Sequence, residues 1–248
     1  MSAAAEKARV RAAVWERLER EGLAAFPRPV AGRIPNFRGA AAAAARLAAE
    51  PAFVAARTVK INPDAPQHPL RLRALQAGKR VLVPTPRLRG GFFLLDPARI
   101  PPAHWRAAAS ISGFARHGVP LALDDLPPID LMVLGAVAVA PDGARVGKGE
   151  GYAELEYAVL RTLGRLTAAT PLCTTVHDVQ VVSALPVEPF DVPVDLIATP
   201  TRVLYTRTPY PRPAGVLWEY LPPERLAAMP VLGELRARPS EARGAGRA

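Results

Sequence analysis

The stretch ARTVKINPDAPQHPLRLRALQAGKRVLVP, residues 56–84, carries the pattern from which the fold can be predicted. Its first part, 56–62, is typical of a short strand, and the PDAPQ that follows is typical of a turn. A helix is predicted from Pro69 to Ala77, where Gly78 ends it, and KRVLVP at 79–84 has the composition of a buried strand. This strand–helix–strand order is typical of βαβ units, which build parallel sheets.

The same alternation continues on both sides of this unit. An amphipathic helix is predicted at 5–22, because Val10, Val14 and Leu18 recur along one face before Gly22. We therefore predict one α/β domain over residues 1–235, a three-layer αβα sandwich with a mainly parallel central sheet. The other predicted elements are an irregular loop at 26–39, an Ala-rich helix at about 39–49, a helix near 103–109, a nearly continuous apolar strand at 129–140, a helix ending near Gly164, one or two strands at 170–185 and a strand end at 194–201.

The composition fits one folded domain followed by a basic end. Of 248 residues, 50% are hydrophobic, which is enough for a sizeable core and excludes a wholly disordered chain. No apolar run reaches the ~18 residues of a membrane span, and no secretory signal is visible, so we expect a soluble, cytoplasmic protein. The single cysteine, Cys173, excludes an internal disulfide and a cysteine-based zinc site. Residues 236–248 are low in complexity and are predicted to form a disordered basic tail.

The net charge of +10 comes almost entirely from arginine, which outnumbers lysine 28 to 4. Guanidinium groups bind phosphates and carboxylates through a planar fork of donors. The charge therefore favours an anionic partner, either a nucleic acid or a small phosphorylated or polycarboxylate ligand. A compositional bias toward Arg and Ala would produce the same total, so charge alone does not identify the partner.

Two cations occupy an unusual place on the first predicted helix. Lys7 and Arg11 fall on the same stripe as Val14 and Leu18, while Arg9 lies on the opposite side. Cations that continue an inward-facing stripe either extend along it to reach water or point at a bound anion. Both interpretations remain open from the pattern.

The segment RVGKGEGYAE, residues 145–154, is the strongest candidate for a binding site. Alternating glycines before a helix let successive backbone N–H groups point at one cluster of oxygens, and the helix N-terminus favours an anion. The spacing matches neither of the common phosphate-loop and dinucleotide motifs, and a tight turn is the alternative. We predict a phosphate site formed by Gly147, Gly149 and Gly151 with the two cations Arg145 and Lys148. The acids that follow could cap the helix, or one of them could hold Mg²⁺.

With this loop and several other segments, the chain resembles the 5-formyltetrahydrofolate cyclo-ligase family, also called methenyltetrahydrofolate synthetases. It is most similar to a divergent branch, the methenyltetrahydrofolate synthase domain-containing proteins. The resemblance runs from about Lys7 to Pro200 for the family and to about Leu235 for the branch. The segments that carry it are GRIPNF (32–37), KINPDAPQ (60–67), VPTPRLR (83–89), GKGEGYAELEY (147–157), TTVHDVQVV (174–182) and TPTRV (199–203).

The resemblance implies an ATP- and Mg²⁺-dependent ligase that closes the 5-formyl group of 5-formyltetrahydrofolate onto N10, giving 5,10-methenyltetrahydrofolate. Such chemistry requires alignment and charge neutralisation more than a protein nucleophile. We therefore assign no nucleophile and expect Arg145 and Lys148 to stabilise the transition-state charge. By the resemblance Lys7, Arg11 and Arg145 would join the 147–152 loop in binding ATP.

The resemblance also implies two metal ligands and two substrate-binding positions. The family's magnesium-binding aspartates fall on Glu154 and Asp191. Val59 and Asp64 fall on positions that line the folate pocket, and a carboxylate at Asp64 could accept hydrogen bonds from a pterin ring.

Several residues depart from the family pattern. Tyr152-Ala153 stands where the family has paired tyrosines, Glu154 replaces an aspartate, and Val139-Ala140 replaces a Phe-Asp pair. The alternatives are therefore a nucleotide-binding paralogue that acts on another small substrate, and an RNA-binding protein, which the high pI motivates.

Other polar residues give weaker signals. Adjacent residues on a strand point to opposite faces, so His177 and Asp178 would not form one acid–base dyad. Arg87 and Arg89 lie in a basic loop after a strand, where α/β sheets bind ligands, or are simply solvated. Cys173 has the surroundings of a small buried apolar residue.

Overall fold

The computed structural model describes residues 2–238. Its centre is an eight-stranded sheet in the order β10-β9-β8-β5-β1-β2-β3-β4. The strands are β1 (Thr58–Ile61), β2 (Arg80–Pro84), β3 (Phe92–Leu95), β4 (Val119–Leu121), β5 (Leu131–Val133), β8 (Leu172–Thr175), β9 (Leu196–Ala198) and β10 (Val203–Tyr205). The five strands from β9 to β2 are parallel; β10 pairs antiparallel with β9, β3 with β2, and β4 with β3. The predicted α/β class with a mainly parallel central sheet is confirmed.

Helices cover both faces of this sheet. The helices are α1 (Ala3–Arg20), α2 (Ala40–Ala48), α3 (Pro51–Ala55), α4 (His68–Gln76), α5 (Trp105–Ala108), α6 (Phe114–His117), α7 (Tyr152–Thr162), α8 (Pro223–Ala228) and α9 (Pro230–Ala237). Among residues 2–238, none of these combines the length and apolar composition needed to cross a membrane.

Alternation along the central strands divides the core into two layers. Val81 and Val83 pack with α2 and α4 on one face, whereas Leu82 between them packs with α7 on the other. Successive residues of a strand point to opposite faces, so a strand covered on both sides is apolar at every position. The burial of the KRVLVP strand predicted from the sequence follows from this double cover.

The predicted strand at 129–140 is wrong in its second half. β5 ends at Val133, the chain bends, and β6 (Ala138–Val139) pairs instead with β7 (Arg145–Val146) in a separate antiparallel ribbon. Side chains donate hydrogen bonds to the backbone carbonyls of the bend. Thr174 donates to the carbonyl of Leu134, Arg145 to that of Gly135, and Gln180 to those of Ala136 and Val137. Residues 131–140 are all buried, but the carbonyls of 134–137 are satisfied by side chains rather than by a neighbouring strand.

The predicted second strand within 170–185 is replaced by a short 3₁₀ helix at Asp178–Gln180. The His177 ring accepts a hydrogen bond from the Val179 N–H, and the Gln180 side chain accepts one from the His177 N–H, 2.7 Å away. This reciprocal cap stabilises the turn and ends strand pairing after Thr175. Of the predicted disordered tail, 236–248, residues 239–248 lie outside the described residues. Its first two residues belong to helix α9, which ends at Ala237.

Helix α1 packs on the β6–β7 ribbon rather than on the main sheet. Val14 and Leu18 are buried against Ala138 and Val146, and Leu18 is fully enclosed. Gly22 follows the helix with φ 66°, the left-handed conformation that commonly ends helices. This packing fixes the side of α1 that carries Lys7 and Arg11.

Truncating the anchor of α1 should destabilise the fold. We expect Leu18→Ala to lower the free energy of unfolding by about 2–5 kcal/mol, because it leaves a cavity in a fully buried site. Urea unfolding followed by circular dichroism measures this change. Val54→Ala, at an exposed helix position, serves as control and should change stability by less than about 0.5 kcal/mol. An equally small effect of Leu18→Ala would contradict the packing.

Candidate functional site

A cavity of about 660 Å³ opens at the carboxyl ends of the parallel strands. Asn62–Ala65 enters it after β1, Pro84–Arg87 after β2, and Gly135 after β5. Open α/β sheets bind ligands at this edge, because loops from several strands converge there. The volume is in the range of small-molecule sites.

The structure gathers nearly all of the sequence-predicted site residues around this cavity. Val59 is the exception: it is fully buried in the core on the α2–α4 face and does not line the cavity. Strand alternation turns its neighbour Lys60 to the other face instead. The predicted residues that line the cavity are Lys7, Arg11, Asp64, Arg145, Gly147, Lys148, Gly149, Glu150, Gly151, Tyr152, Glu154 and Asp191.

The glycine-rich loop lies directly under the side chain of Arg11. The Arg11 Nε donates to the Gly147 carbonyl at 2.7 Å. Gly149 has φ 102°, and a Cβ atom there would lie 3.3 Å from the Arg11 Cζ. The left-handed φ favours glycine at this position, and a Cβ there would also make the Arg11 guanidinium shift slightly. Gly151, with φ 71°, then begins α7.

Arg145 is the most completely buried of the cations in the cavity wall. Its guanidinium donates to the carbonyls of Gly135 and Val192, at 2.9 and 3.3 Å, and pairs with Glu154. Five donors in one plane allow a single side chain to join three segments of chain. Arg145 therefore sets the positions of the bend after β5, of the loop that contains Val192, and of α7.

Lys7 is tied to the loop that carries Asp191. Its Nζ lies 2.5 Å from Asp191 and 2.8 Å from Glu188, and Lys7 is almost completely buried. Burial raises the pKa of Asp191, although its hydrogen bond with Lys7 opposes the shift. Burial likewise lowers the pKa of Arg11, which the carboxylates of Glu154 and Asp191 partly offset. Lys7 and Arg11 thus point toward the cavity and contact Glu188, Asp191 and the Gly147 carbonyl, and their binding of an anion stays a prediction.

The two carboxylates predicted to bind magnesium both line the cavity, and each is paired with a cation: Glu154 with Arg145 and Asp191 with Lys7. Within residues 2–238, no group of three or more His, Cys, Asp or Glu side chains is arranged to hold a metal. Mg²⁺ beside a nucleotide commonly uses one or two carboxylates together with phosphate oxygens and water. The residues present fit that kind of site rather than an all-protein cage.

Asp64 faces the cavity from the loop after β1. Burial raises the pKa of its carboxyl group, against the opposing charges of Lys148, Arg71 and Lys60. A Cβ atom at Gly135 would lie 2.9 Å from its Oδ2, so only glycine allows Asp64 its place. The backbone beside it is held by Arg71, which donates to the carbonyls of Asn62 and Asp64.

Sequence reasoning missed a buried ion pair in the wall of this cavity. Lys60, in the middle of β1, pairs with Glu156 of α7 and donates to the Asn62 Oδ1 at 2.5 Å. Burial lowers the pKa of Lys60 and raises that of Glu156. The available signal was a lysine within an otherwise apolar buried strand, together with a glutamate on the buried stripe of α7.

Of the other polar residues considered from the sequence, only one lies in the cavity wall. Arg87 lines the cavity, and Arg89 in the same loop does not. His177 caps the 3₁₀ helix, while Asp178 accepts hydrogen bonds from Thr199 and Thr201, so both have structural partners outside the cavity. Cys173 is fully buried in the core, and burial raises the pKa of its thiol.

Neutralising Asp64 should stabilise the protein at neutral pH. Burial raises the pKa of Asp64 in the folded protein above its unfolded value of about 3.9. The folded protein is therefore less stable when this carboxyl group is ionised, and stability falls as pH rises through the folded pKa. We expect Asp64→Asn to raise the melting temperature at pH 7, and the gain to vanish near pH 3.5. Asp125→Asn, at an exposed position, is the matched control and should show no such trend. A lower melting temperature of Asp64→Asn at pH 7 would contradict this expectation.

Comparison with known proteins finds relatives of one family. The 5-formyltetrahydrofolate cyclo-ligase family profile matches residues 3–200. The chain is 46% identical over 241 residues to the methenyltetrahydrofolate synthase domain-containing protein of Mus musculus, covering 95% of this chain and 64% of that protein. It is 29% identical over 171 residues to the 5-formyltetrahydrofolate cyclo-ligase of Escherichia coli K12, covering 65% of this chain and 87% of that enzyme.

Among solved structures, the fold is similar to the 5,10-methenyltetrahydrofolate synthetase of Aquifex aeolicus, with a TM-score of 0.53 and 20% identity. That similarity covers 84% of this chain and 96% of the other, and it supports the fold alone. The chain spans 64% of the length of its mouse relative. With the family profile matched over most of its length, the chain belongs to the 5-formyltetrahydrofolate cyclo-ligase family.

Proposed function

We propose that this chain is an ATP- and Mg²⁺-dependent cyclo-ligase that converts 5-formyltetrahydrofolate to 5,10-methenyltetrahydrofolate. The observation that supports this most is the meeting of four cations and a glycine-rich loop in one cavity. Lys7, Arg11, Arg145 and Lys148 offer the charge that a triphosphate requires. Asp64, in the same cavity, offers an acceptor for a reduced pterin ring.

The proposed reaction needs two ligands held side by side. The formyl oxygen attacks the γ-phosphorus of ATP and ADP leaves; N10 then attacks the activated formyl carbon and gives up its proton to water, and the carbon–oxygen bond breaks to release phosphate. Positioning and charge stabilisation supply most of the catalysis in phosphoryl transfer. Arg145 and Lys148 would stabilise the charge on the transferred group.

Binding of a magnesium nucleotide would exchange partners among the ion pairs of the cavity. In the structure, Lys7 pairs with Asp191, Arg145 with Glu154, and Lys148 lies 2.7 Å from Glu150. Phosphate oxygens can replace the carboxylates on the cations, while Glu154 and Asp191 become available to Mg²⁺.

The proposed activity is tested with purified protein, 5-formyltetrahydrofolate, ATP and Mg²⁺. We expect the absorbance of 5,10-methenyltetrahydrofolate to rise with time, and the rise to require both ATP and Mg²⁺. The Escherichia coli relative run in parallel shows that the assay works. No product from this chain while that enzyme is active would refute the proposal.

Arg11 should contribute to nucleotide affinity more than to folding. Arg11→Met removes one charge from the wall of the glycine-rich loop, and we expect KM for ATP to rise about tenfold, as for loss of one charge-assisted contact. Arg9→Met, on the exposed side of the same helix, is the matched control and should leave KM unchanged. Steady-state kinetics at saturating folate measures both variants, and an unchanged KM for Arg11→Met would place the nucleotide elsewhere.

A second candidate is a nucleotide-binding paralogue that acts on another small substrate. It is favoured by the position of Val59 in the core, since that residue does not supply the expected apolar wall. ATP would then raise the melting temperature while 5-formyltetrahydrofolate would not. RNA binding and the cytoplasmic location stay predictions; the former requires affinity that falls steeply with salt.

A further inference from the structure

The Lys60–Glu156 pair is buried at a place where burial is costly. The Lys60 side chain is completely enclosed, and that of Glu156 is 6% exposed. Replacing such a pair with apolar side chains of similar volume is often neutral or stabilising in proteins. Stability alone therefore gives no reason for two charges between β1 and α7.

The two side chains that accept hydrogen bonds from Lys60 both face the cavity. Glu156 lines the cavity, and so does Asn62, whose side-chain oxygen accepts from the Lys60 Nζ at 2.5 Å. Lys60 itself is not among the lining residues. It lies behind them, donates to both, and so fixes the orientation of each side chain.

This arrangement offers a specific pattern of hydrogen-bonding groups. Because Lys60 engages the Asn62 oxygen, the amide nitrogen of Asn62 remains to donate to a ligand. The Glu156 carboxylate has two oxygens, of which Lys60 engages Oε2. Asp64, two residues after Asn62, adds a second carboxylate to the same cavity. The wall thus combines carboxylate acceptors with one amide donor.

We propose that the Lys60–Glu156 pair, together with Asn62, is a specificity-determining element that recognises the amino-substituted ring of the substrate. A reduced pterin carries an amino group and ring N–H donors next to one carbonyl acceptor, the complement of this wall. The inference rests on the proposed function for the identity of the ring. Lys60 is a positioning residue, and Glu156 and Asn62 are the groups that contact the ring.

The first arm of the test uses the unaltered protein. Its affinity is measured by calorimetry for 5-formyltetrahydrofolate, for 6-methyltetrahydropterin and for the analogue of that pterin without the 2-amino group. We expect at least tenfold weaker binding of the analogue that lacks the amino group. Equal affinity for the two pterins would overturn the proposal without any variant.

The second arm uses the double variant Lys60→Met with Glu156→Leu. Since both charges are removed together, we expect a melting temperature at or above that of the unaltered protein. It should lose at least tenfold in affinity for the pterin and most of the discrimination between the two analogues, while the thermal shift caused by ATP persists. Arg17→Met with Glu21→Gln, an exposed pair on α1, is the control and should change neither affinity nor discrimination.

The outcomes separate this proposal from the proposed function. Pterin binding that depends on the pair, without conversion of 5-formyltetrahydrofolate, supports the recognition element and refutes the cyclo-ligase activity. Conversion with unchanged pterin affinity in the double variant refutes the recognition element and keeps the activity. Absence of both pterin binding and conversion refutes both. If the double variant does not fold, the comparison of the two pterins with the unaltered protein still decides.

Discussion

The Arg145 guanidinium is the contact on which the cavity depends, because it joins three segments that are distant in sequence. It donates to the Gly135 carbonyl after β5 and to the Val192 carbonyl, and it pairs with Glu154 on α7. A guanidinium is suited to this position because it keeps its charge when buried and directs several donors in one plane. Without it the bend after Val133 would leave a buried carbonyl without a partner, which costs roughly 1–3 kcal/mol.

The bend that Arg145 holds in turn determines what the cavity contains. Because β5 stops at Val133, Gly135 lies beside the loop after β1 and leaves space for the Asp64 carboxylate. The chain then forms the β6–β7 ribbon, on which α1 packs through Val14 and Leu18. The packing of apolar side chains in one layer therefore brings Lys7 and Arg11 to partners in the second half of the chain, Asp191 and Gly147.

The prediction from sequence succeeded where the pattern is local and failed where tertiary contacts decide. The alternation of strands and helices predicted the parallel sheet, and the pattern of α1 placed Lys7 and Arg11 on its apolar stripe without deciding where their charges point. The apolar run at 129–140 was read as one strand, because hydrophobicity reports burial but not which groups satisfy the backbone oxygens. The Lys60–Glu156 pair was missed because its members are 96 positions apart and only the fold brings them together. Val59 was misplaced because resemblance gives a position in the chain, whereas the strand decides which face the residue occupies.

The attachment of α1 has a consequence for the order in which the chain becomes functional. Arg11 contacts a residue 136 positions away, and Lys7 contacts residues 181 and 184 positions away. Contacts with such sequence separation close large loops, which is slow relative to the formation of local helices and turns. During synthesis the first helix must wait for residues 147–191 before this side of the cavity is complete. A nascent fragment therefore lacks the full cavity, and any ligand that bound between these two distant segments would favour the finished fold.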